Sequence, residues 1–207
     1  MYSEHLEPSR NIVISGEIEE GLAYEIITRI NGINELDNER DRILAKYNAQ
    51  PIQIYINSGG GSVTDGFAII SAMEMSETPI ITYGMGLVAS MALAIFVAGD
   101  IRIASRFTRF MYHSISYGMM GHITEHEEMR EEADILQQMY NSLMFEKTKL
   151  TDDELEKIRK MKHNYYFGAV KAKLHGIADD VIDKPDVRIK LPTEEEMEEY
   201  IIKKEKK

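Results

Sequence analysis

Short apolar segments alternate with helical patterns along this chain, and that alternation is the feature that most restricts its fold. The predicted strands are Asn11 to Ser15, Ile52 to Ile56, Pro79 to Tyr83, Ile101 to Ala104 and Phe110 to His113. The predicted helices are Glu17 to about Lys46 with an interruption at Gly32, Ser62 to Met75, Met91 to Val97, about Ile123 to Leu150, one from Thr151, and Ala169 to His175. This order is typical of layered α/β folds.

Composition excludes several classes of protein. The chain has 207 residues, enough for one domain, and its net charge of −11 repels nucleic acid and anionic lipid surfaces. It has no cysteine, which excludes disulfides and thiolate nucleophiles and fits a reducing compartment. Its longest apolar run, Leu87 to Ala98, is shorter than the roughly 20 residues of a membrane-spanning helix. We therefore expect a cytoplasmic protein with no nucleic acid partner and no membrane attachment.

One hydroxyl, that of Ser90, lies inside this apolar run. In one interpretation Ser90 caps the helix that begins at Met91, with its oxygen accepting a backbone N–H. In the other it is a nucleophile on a strand-to-helix turn, where the N–H groups of the first helical turn face any oxyanion formed beside it. The α/β-hydrolase pattern G-x-S-x-G is not met, because Val88 and Ala92 occupy its glycine positions.

A nucleophilic serine needs a base, and His113 is the best placed histidine because it ends a predicted strand downstream of Ser90. A purely structural histidine is the alternative. His122, Glu125 and His126 match the zinc pattern H-x-x-E-H, but they open a strongly charged, exposed helix with no evident third ligand, so no metal is expected.

The glycine run that follows the second predicted strand, Gly59 to Gly61, also allows two interpretations. It lacks the lysine of a phosphate-binding loop. The run therefore forms either a tight turn or a place where a peptide backbone approaches closely.

Three blocks together carry a family resemblance: Ile54 to Thr64, Met85 to Met91 and Arg109 to His113. In this order and spacing they resemble the proteolytic subunit of the caseinolytic (Clp) protease, over about Asn11 to Asp183. The resemblance implies an α/β, crotonase-like spiral of ββα units with a protruding handle helix at about 123–150. The domain would span 11–190, between a short N-terminal segment at 1–10 and a charged tail at 191–207. A helix packed on its own domain is the alternative for the handle.

The resemblance also implies a function. The chain would be a serine endopeptidase that cleaves unfolded polypeptides inside a chamber of two stacked seven-membered rings. The chain itself would need no cofactor, and a partner AAA+ unfoldase would use ATP. Ser90 maps to the nucleophile, His113 to the general base, and the backbone N–H groups of Gly61 and Met91 to the oxyanion hole. The residues that map to substrate-backbone binding are Gly60, Gly61 and Ser62.

The sequence departs from the family at the third catalytic position. Asn164 stands where the family carries aspartate, and an asparagine can orient the histidine but brings no charge, so low or conditional activity is expected. A short N-terminal segment and Gln53, in place of an aromatic residue of the docking pocket, weaken the expected contact with an unfoldase. Two other functions stay open: a weakly active or non-catalytic subunit in a mixed ring with an active paralogue, and a crotonase-type acyl-thioester enzyme.

Overall fold

A computed structural model describes residues 9–116, 118, 122–160 and 164–183. The strands are β1 (Asn11–Ile18), β2 (Ile52–Gly61), β3 (Ile80–Ala89), β4 (Ile101–Ser105), β5 (Arg109–Tyr112), β6 (Tyr165–Gly168) and β7 (Asp180–Ile182). The helices are α1 (Glu20–Ile43), α2 (Val63–Glu74), α3 (Met91–Ala98), α4 (Ile123–Lys147), α5 (Asp152–Lys160) and α6 (Ala169–Leu174). The α/β class predicted from the sequence is confirmed.

One sheet organises the described part of the molecule. Strands β1, β2, β3, β4 and β7 lie side by side and run parallel. Strand β3 has two partners on the same side: its first half pairs with β4 at Ile81–Gly84, and its second half pairs with β5 at Leu87–Ala89. Strand β6 then runs antiparallel to β5. The carboxyl ends of β2, β3 and β5 and the start of β6 therefore lie close together.

Helix α3 forms the centre of the core. Its eight residues are all buried, as expected for a helix that is apolar on every side. It packs against α2, α4 and the strands β2 and β3. The apolar run that is too short to cross a membrane is thus mostly buried inside the domain, although its first residue, Leu87, is exposed. No helix in the described ranges is long and apolar enough to span a bilayer.

Helix α4 is packed at one end only. From Thr124 to Ile135 the helix is exposed except at Ala133, which is half-buried, whereas Tyr140, Leu143 and Met144 are buried. The first half of α4 therefore projects from the domain, and its second half packs on the domain.

Several boundaries differ from the sequence prediction. Helix α1 continues through Gly32, where no atom lies within 4 Å of an added Cβ. An exposed helical glycine costs only about 1 kcal/mol relative to alanine, and the buried neighbours Ile30 and Ile33 hold the helix in place. Strand β1 extends beyond Ser15 to Ile18, and β6 and β7 were not predicted. The charged tail Glu194 to Lys207 lies outside the described residues.

A buried ionic cluster joins α1 to the start of β1. The Asp37 carboxylate accepts hydrogen bonds from the Arg10 guanidinium, from Thr78 Oγ1 at 2.6 Å and from the Tyr47 hydroxyl at 2.5 Å. Burial alone would raise the pKa of Asp37, but the hydrogen bonds from Arg10, Thr78 and Tyr47 outweigh it and lower that pKa to about 2.

Replacing Asp37 by asparagine should therefore lower the free energy of unfolding by about 2 to 3 kcal/mol at neutral pH, because Arg10 loses its charged partner. Because the folded-state pKa of Asp37 lies below the ordinary value of 3.8, the contribution is complete above pH 3.8 and is lost as the pH falls towards 2. Urea unfolding at several pH values measures it. Asp41→Asn, an exposed position one turn along α1, is the matched control. Equal stabilities of the two variants would contradict this role for Asp37.

Candidate active site

Ser90 lies on the turn between β3 and α3 in an unusual backbone conformation. Its φ of 56° and ψ of −128° make it the one non-glycine residue with positive φ among the residues described. The Ser90 N–H donates to the carbonyl of Met111 at 2.9 Å, which ties the turn to β5. The side chain makes no capping hydrogen bond to α3, so the capping interpretation is wrong. A strained turn of this kind persists only where its surroundings hold it, and such turns cluster at functional sites.

The Ser90 hydroxyl instead contacts a histidine. His113 directly follows β5, and its Nε2 lies 2.6 Å from Ser90 Oγ. This is the distance expected between a nucleophile and its base. Burial lowers the pKa of His113 below 6.5, so the ring is neutral at pH 7 and can accept the serine proton. The structure thus brings together the two residues that the sequence analysis paired.

The glycine run lies directly beside the serine, and its interpretation as a tight turn is wrong. Strand β2 continues through it to Gly61. An added Cβ at Gly60, where φ is +99°, would lie 2.6 Å from Ser90 Cβ; one at Gly61 would lie 2.2 Å from the carbonyl oxygen of Ile18. Only glycine lets this strand approach so closely. Ser62 follows as the N-cap of α2, with its side chain accepting the N–H of Asp65.

A small cavity of about 60 Å³ opens at the serine. Four of its lining residues were identified from the sequence: Gly61, Ser90, Met91 and His113. The others are Val63, Ile115, Ser116 and Tyr140. Met91 begins α3, so its backbone N–H belongs to the positive end of that helix. Its side chain is buried against Gly66, where an added Cβ would lie 2.2 Å from Met91 Cγ.

Asn164 directly precedes β6, and His113 directly follows β5, at the same end of this antiparallel pair of strands. The antiparallel register ends with the pair Tyr112 and Tyr165, and His113 and Asn164 are the next residues beyond that pair. The Asn164 side chain is exposed, and within the described ranges it makes no hydrogen bond with His113. The role of Asn164 stays a prediction that the strand register favours.

The H-x-x-E-H segment has a local structural role. His122 is the N-cap of α4, and its backbone N–H donates to Glu125 Oε2 at 2.8 Å. His126 lies one turn further on, with its N–H donating to the His122 carbonyl. Across the described ranges, no group of three histidine or acidic side chains is arranged to hold a metal ion.

Comparison with known proteins identifies the family. The sequence model described as Clp protease matches residues 1–185. The chain belongs to the Clp protease family. This is a family of serine peptidases, and the predicted resemblance is confirmed.

One curated Clp protease relative is the ATP-dependent Clp protease proteolytic subunit 2 of Treponema pallidum (strain Nichols). The two are 29% identical over 178 residues, which cover 85% of this chain and 83% of that protein. A solved structure of ClpP1 from Listeria monocytogenes, a variant with one asparagine replaced by aspartate, matches with a TM-score of 0.72. That match is 24% identical and covers 86% of this chain and 93% of the other, and it confirms the ClpP-type, crotonase-like fold.

Proposed function

We propose that this chain is the proteolytic subunit of an ATP-dependent Clp protease, a serine endopeptidase that uses Ser90, His113 and Asn164. The single observation that carries the proposal is the 2.6 Å contact between His113 Nε2 and Ser90 Oγ on a strained strand-to-helix turn. A neutral imidazole at this distance can take the hydroxyl proton as Oγ attacks a peptide carbonyl. Collapse of the tetrahedral intermediate expels the amine, which takes the proton from His113. Water then hydrolyses the acyl-enzyme.

In this mechanism the backbone N–H groups of Gly61 and Met91 bind the developing oxyanion. Both residues line the cavity at Ser90, and fixed amide dipoles aimed at a developing charge are the largest single contribution in many acyl-transfer enzymes. An extended substrate would pair as an added strand with the end of β2, at Gly60 and Gly61, and with the following residue, Ser62. Recognition through main-chain hydrogen bonds accepts many sequences, so we expect broad specificity.

We further propose that the chain works in two stacked seven-membered rings, either homomeric or mixed with a paralogue. The projecting half of α4 supports this, because it exposes the apolar side chains of Met129 and Ile135. Met139 and Phe145 are exposed further along the same helix. Such surface is stabilised when a second subunit covers it.

The proposed AAA+ unfoldase would dock on a second, larger cavity of about 400 Å³. Stacked Tyr55 and Tyr83 rings, with centroids 4.7 Å apart, line it beside Met85 and Phe107. The Tyr55 hydroxyl donates a hydrogen bond to Gln53 Oε1 at 2.9 Å. An apolar side chain of the unfoldase would fit this cavity, and degradation of a folded substrate only when unfoldase and ATP are added tests the partnership.

The proposal is tested by fluorophosphonate labelling of the full chain, with size measurement of the same sample. We expect label on Ser90 in a particle of roughly fourteen subunits, no label in Ser90→Ala, and slow hydrolysis of peptide esters. An assembled ring that fails to label would favour the non-catalytic subunit. Acyl-thioester turnover without label would favour the crotonase-type enzyme, which does not need the contact between Ser90 and His113.

A further inference from the structure

The peptide unit that joins Ser90 to Met91 is held from its carbonyl end. The Ser90 carbonyl oxygen accepts a hydrogen bond from the Tyr140 hydroxyl at 3.1 Å and another from the Leu93 N–H at 2.9 Å. This peptide is planar and trans, so its C=O and N–H bonds lie in one rigid plane and point in opposite directions. Whatever fixes the Ser90 carbonyl therefore also fixes the direction of the Met91 N–H.

Tyr140 is well placed to fix the orientation of the Ser90–Met91 peptide unit. It lies in the packed half of α4, fifty residues from Ser90 in sequence, and only 3% of its surface is exposed. Its ring packs edge-on against Tyr112, with centroids 5.5 Å apart, so the hydroxyl has little freedom to move. Burial raises the pKa of this hydroxyl well above its usual range, so it stays a donor at any working pH.

The backbone at Ser90 needs such support. Its positive φ is costly for a residue with a Cβ, and a peptide in such a region tends to rotate towards a commoner conformation. Rotation would turn the Met91 N–H away from the cavity even while the chain stayed folded. The Leu93 N–H comes from the same turn and would move with it, whereas Tyr140 comes from a separate helix.

We propose that Tyr140 is a positioning residue for the oxyanion hole, acting through the Ser90 carbonyl on the N–H of Met91. This role rests on the peptidase function proposed above. The hydrogen bond has a second effect in the same direction, because an amide whose carbonyl accepts a hydrogen bond is polarised and donates more strongly through its N–H. Tyr140 does not touch the substrate in this account.

The test compares Tyr140→Phe with Tyr112→Phe in the full-length protein. The first removes the hydroxyl that donates to the Ser90 carbonyl and keeps the ring. The second removes a hydroxyl from the same ring pair that instead donates to Asn141 at 2.9 Å and accepts from Gln137 Nε2 at 3.4 Å. Hydrolysis of a peptide ester is measured beside its thionoester, in which sulfur replaces the carbonyl oxygen. A sulfur anion is larger and accepts hydrogen bonds poorly, so the ratio of the two rates reports the oxyanion hole.

For Tyr140→Phe we expect kcat for the oxygen ester to fall about tenfold, less than the 10²- to 10³-fold of losing an oxyanion donor outright, with KM unchanged. The ratio of oxygen-ester to thionoester rates should fall by a similar factor. Tyr112→Phe should keep both values within about twofold. The ratio is measured within one sample, so partial unfolding of a variant does not change it.

Each outcome decides between specific alternatives. An unchanged rate ratio in Tyr140→Phe, with the wild type active, would overturn the positioning role and leave the peptidase proposal standing. A fall in rate with an unchanged ratio would assign Tyr140 a general packing role and also overturn the inference. A wild-type chain that neither labels at Ser90 nor hydrolyses the ester would overturn the peptidase proposal, and the role of Tyr140 with it.

Discussion

Replacing Gly60 by alanine should reduce kcat/KM for peptide esters by about a hundredfold or more. The new Cβ would lie 2.6 Å from Ser90 Cβ and 2.9 Å from the carbonyl oxygen of Ala89, and the φ of +99° is unfavourable for alanine. Either the serine turn or the tail of β2 must then move. The first movement separates Ser90 from His113, and the second displaces the Gly61 amide; a shift of about 1 Å in such a site costs about 10²-fold.

Gly59→Ala is the matched control for this substitution. It lies one residue earlier on the same strand, and no atom is within 4 Å of its added Cβ. We expect its kcat/KM to stay within about threefold of wild type. Similar losses in both variants would mean that any side chain here weakens the strand, and full activity of Gly60→Ala would show that β2 does not lie this close to Ser90 in the working enzyme.

Replacing Asn164 by aspartate should increase kcat by at least about tenfold. In a serine protease with an aspartate in this position, the reverse change costs about 10⁴ in kcat, although a site built around asparagine has less to regain. Residue 164 and His113 both lie one residue beyond the last pair of β5 and β6, and a carboxylate that reached the ring would stabilise the imidazolium formed in the transition state. Asn164 is exposed, so the substitution should leave the melting temperature nearly unchanged.

The pH profile gives this prediction a second readout. Burial lowers the pKa of His113 in the present protein, so the acidic limb of kcat/KM should lie below pH 6.5. A nearby carboxylate favours the protonated ring and raises that pKa, which should move the limb to higher pH in Asn164→Asp. Asn164→Ala should lower kcat without moving the limb upward. A rate and a limb that are the same in all three proteins would mean that residue 164 does not act on His113.

The pairing of Ser90 with His113 could be predicted from the sequence because it depends on short blocks with fixed spacing. The path of β2 through Gly59 to Gly61 could not, since glycine is depleted in strands and a glycine run indicates a turn. The reason for the glycines lies across the sheet, in Ser90 and in the backbone of Ile18, and no local pattern reveals such a contact.

Two other features escaped sequence reasoning for different reasons. Strand β6 has only four residues and runs directly into α6, so its alternation is too short to detect. Tyr140 stands among apolar residues of the predicted helix at about 123–150, where an aromatic residue at helical spacing is ordinarily a packing residue. Its hydroxyl could have suggested more, since a buried tyrosine normally finds a hydrogen-bond partner, but the sequence does not say which one.

The two pairings of β3 also bear on when the proposed active site forms during folding. Ser90 follows the half of β3 that pairs with β5, and β5 pairs in turn with β6. The residues of the proposed site therefore extend in sequence from Gly60 to Asn164. Contacts so far apart in sequence form late in folding, because the intervening chain must first be ordered. A chain still emerging from the ribosome therefore carries Ser90 and β2 before His113 and β6 are present to complete the site. Delayed assembly would protect newly made polypeptides, including its own, from cleavage.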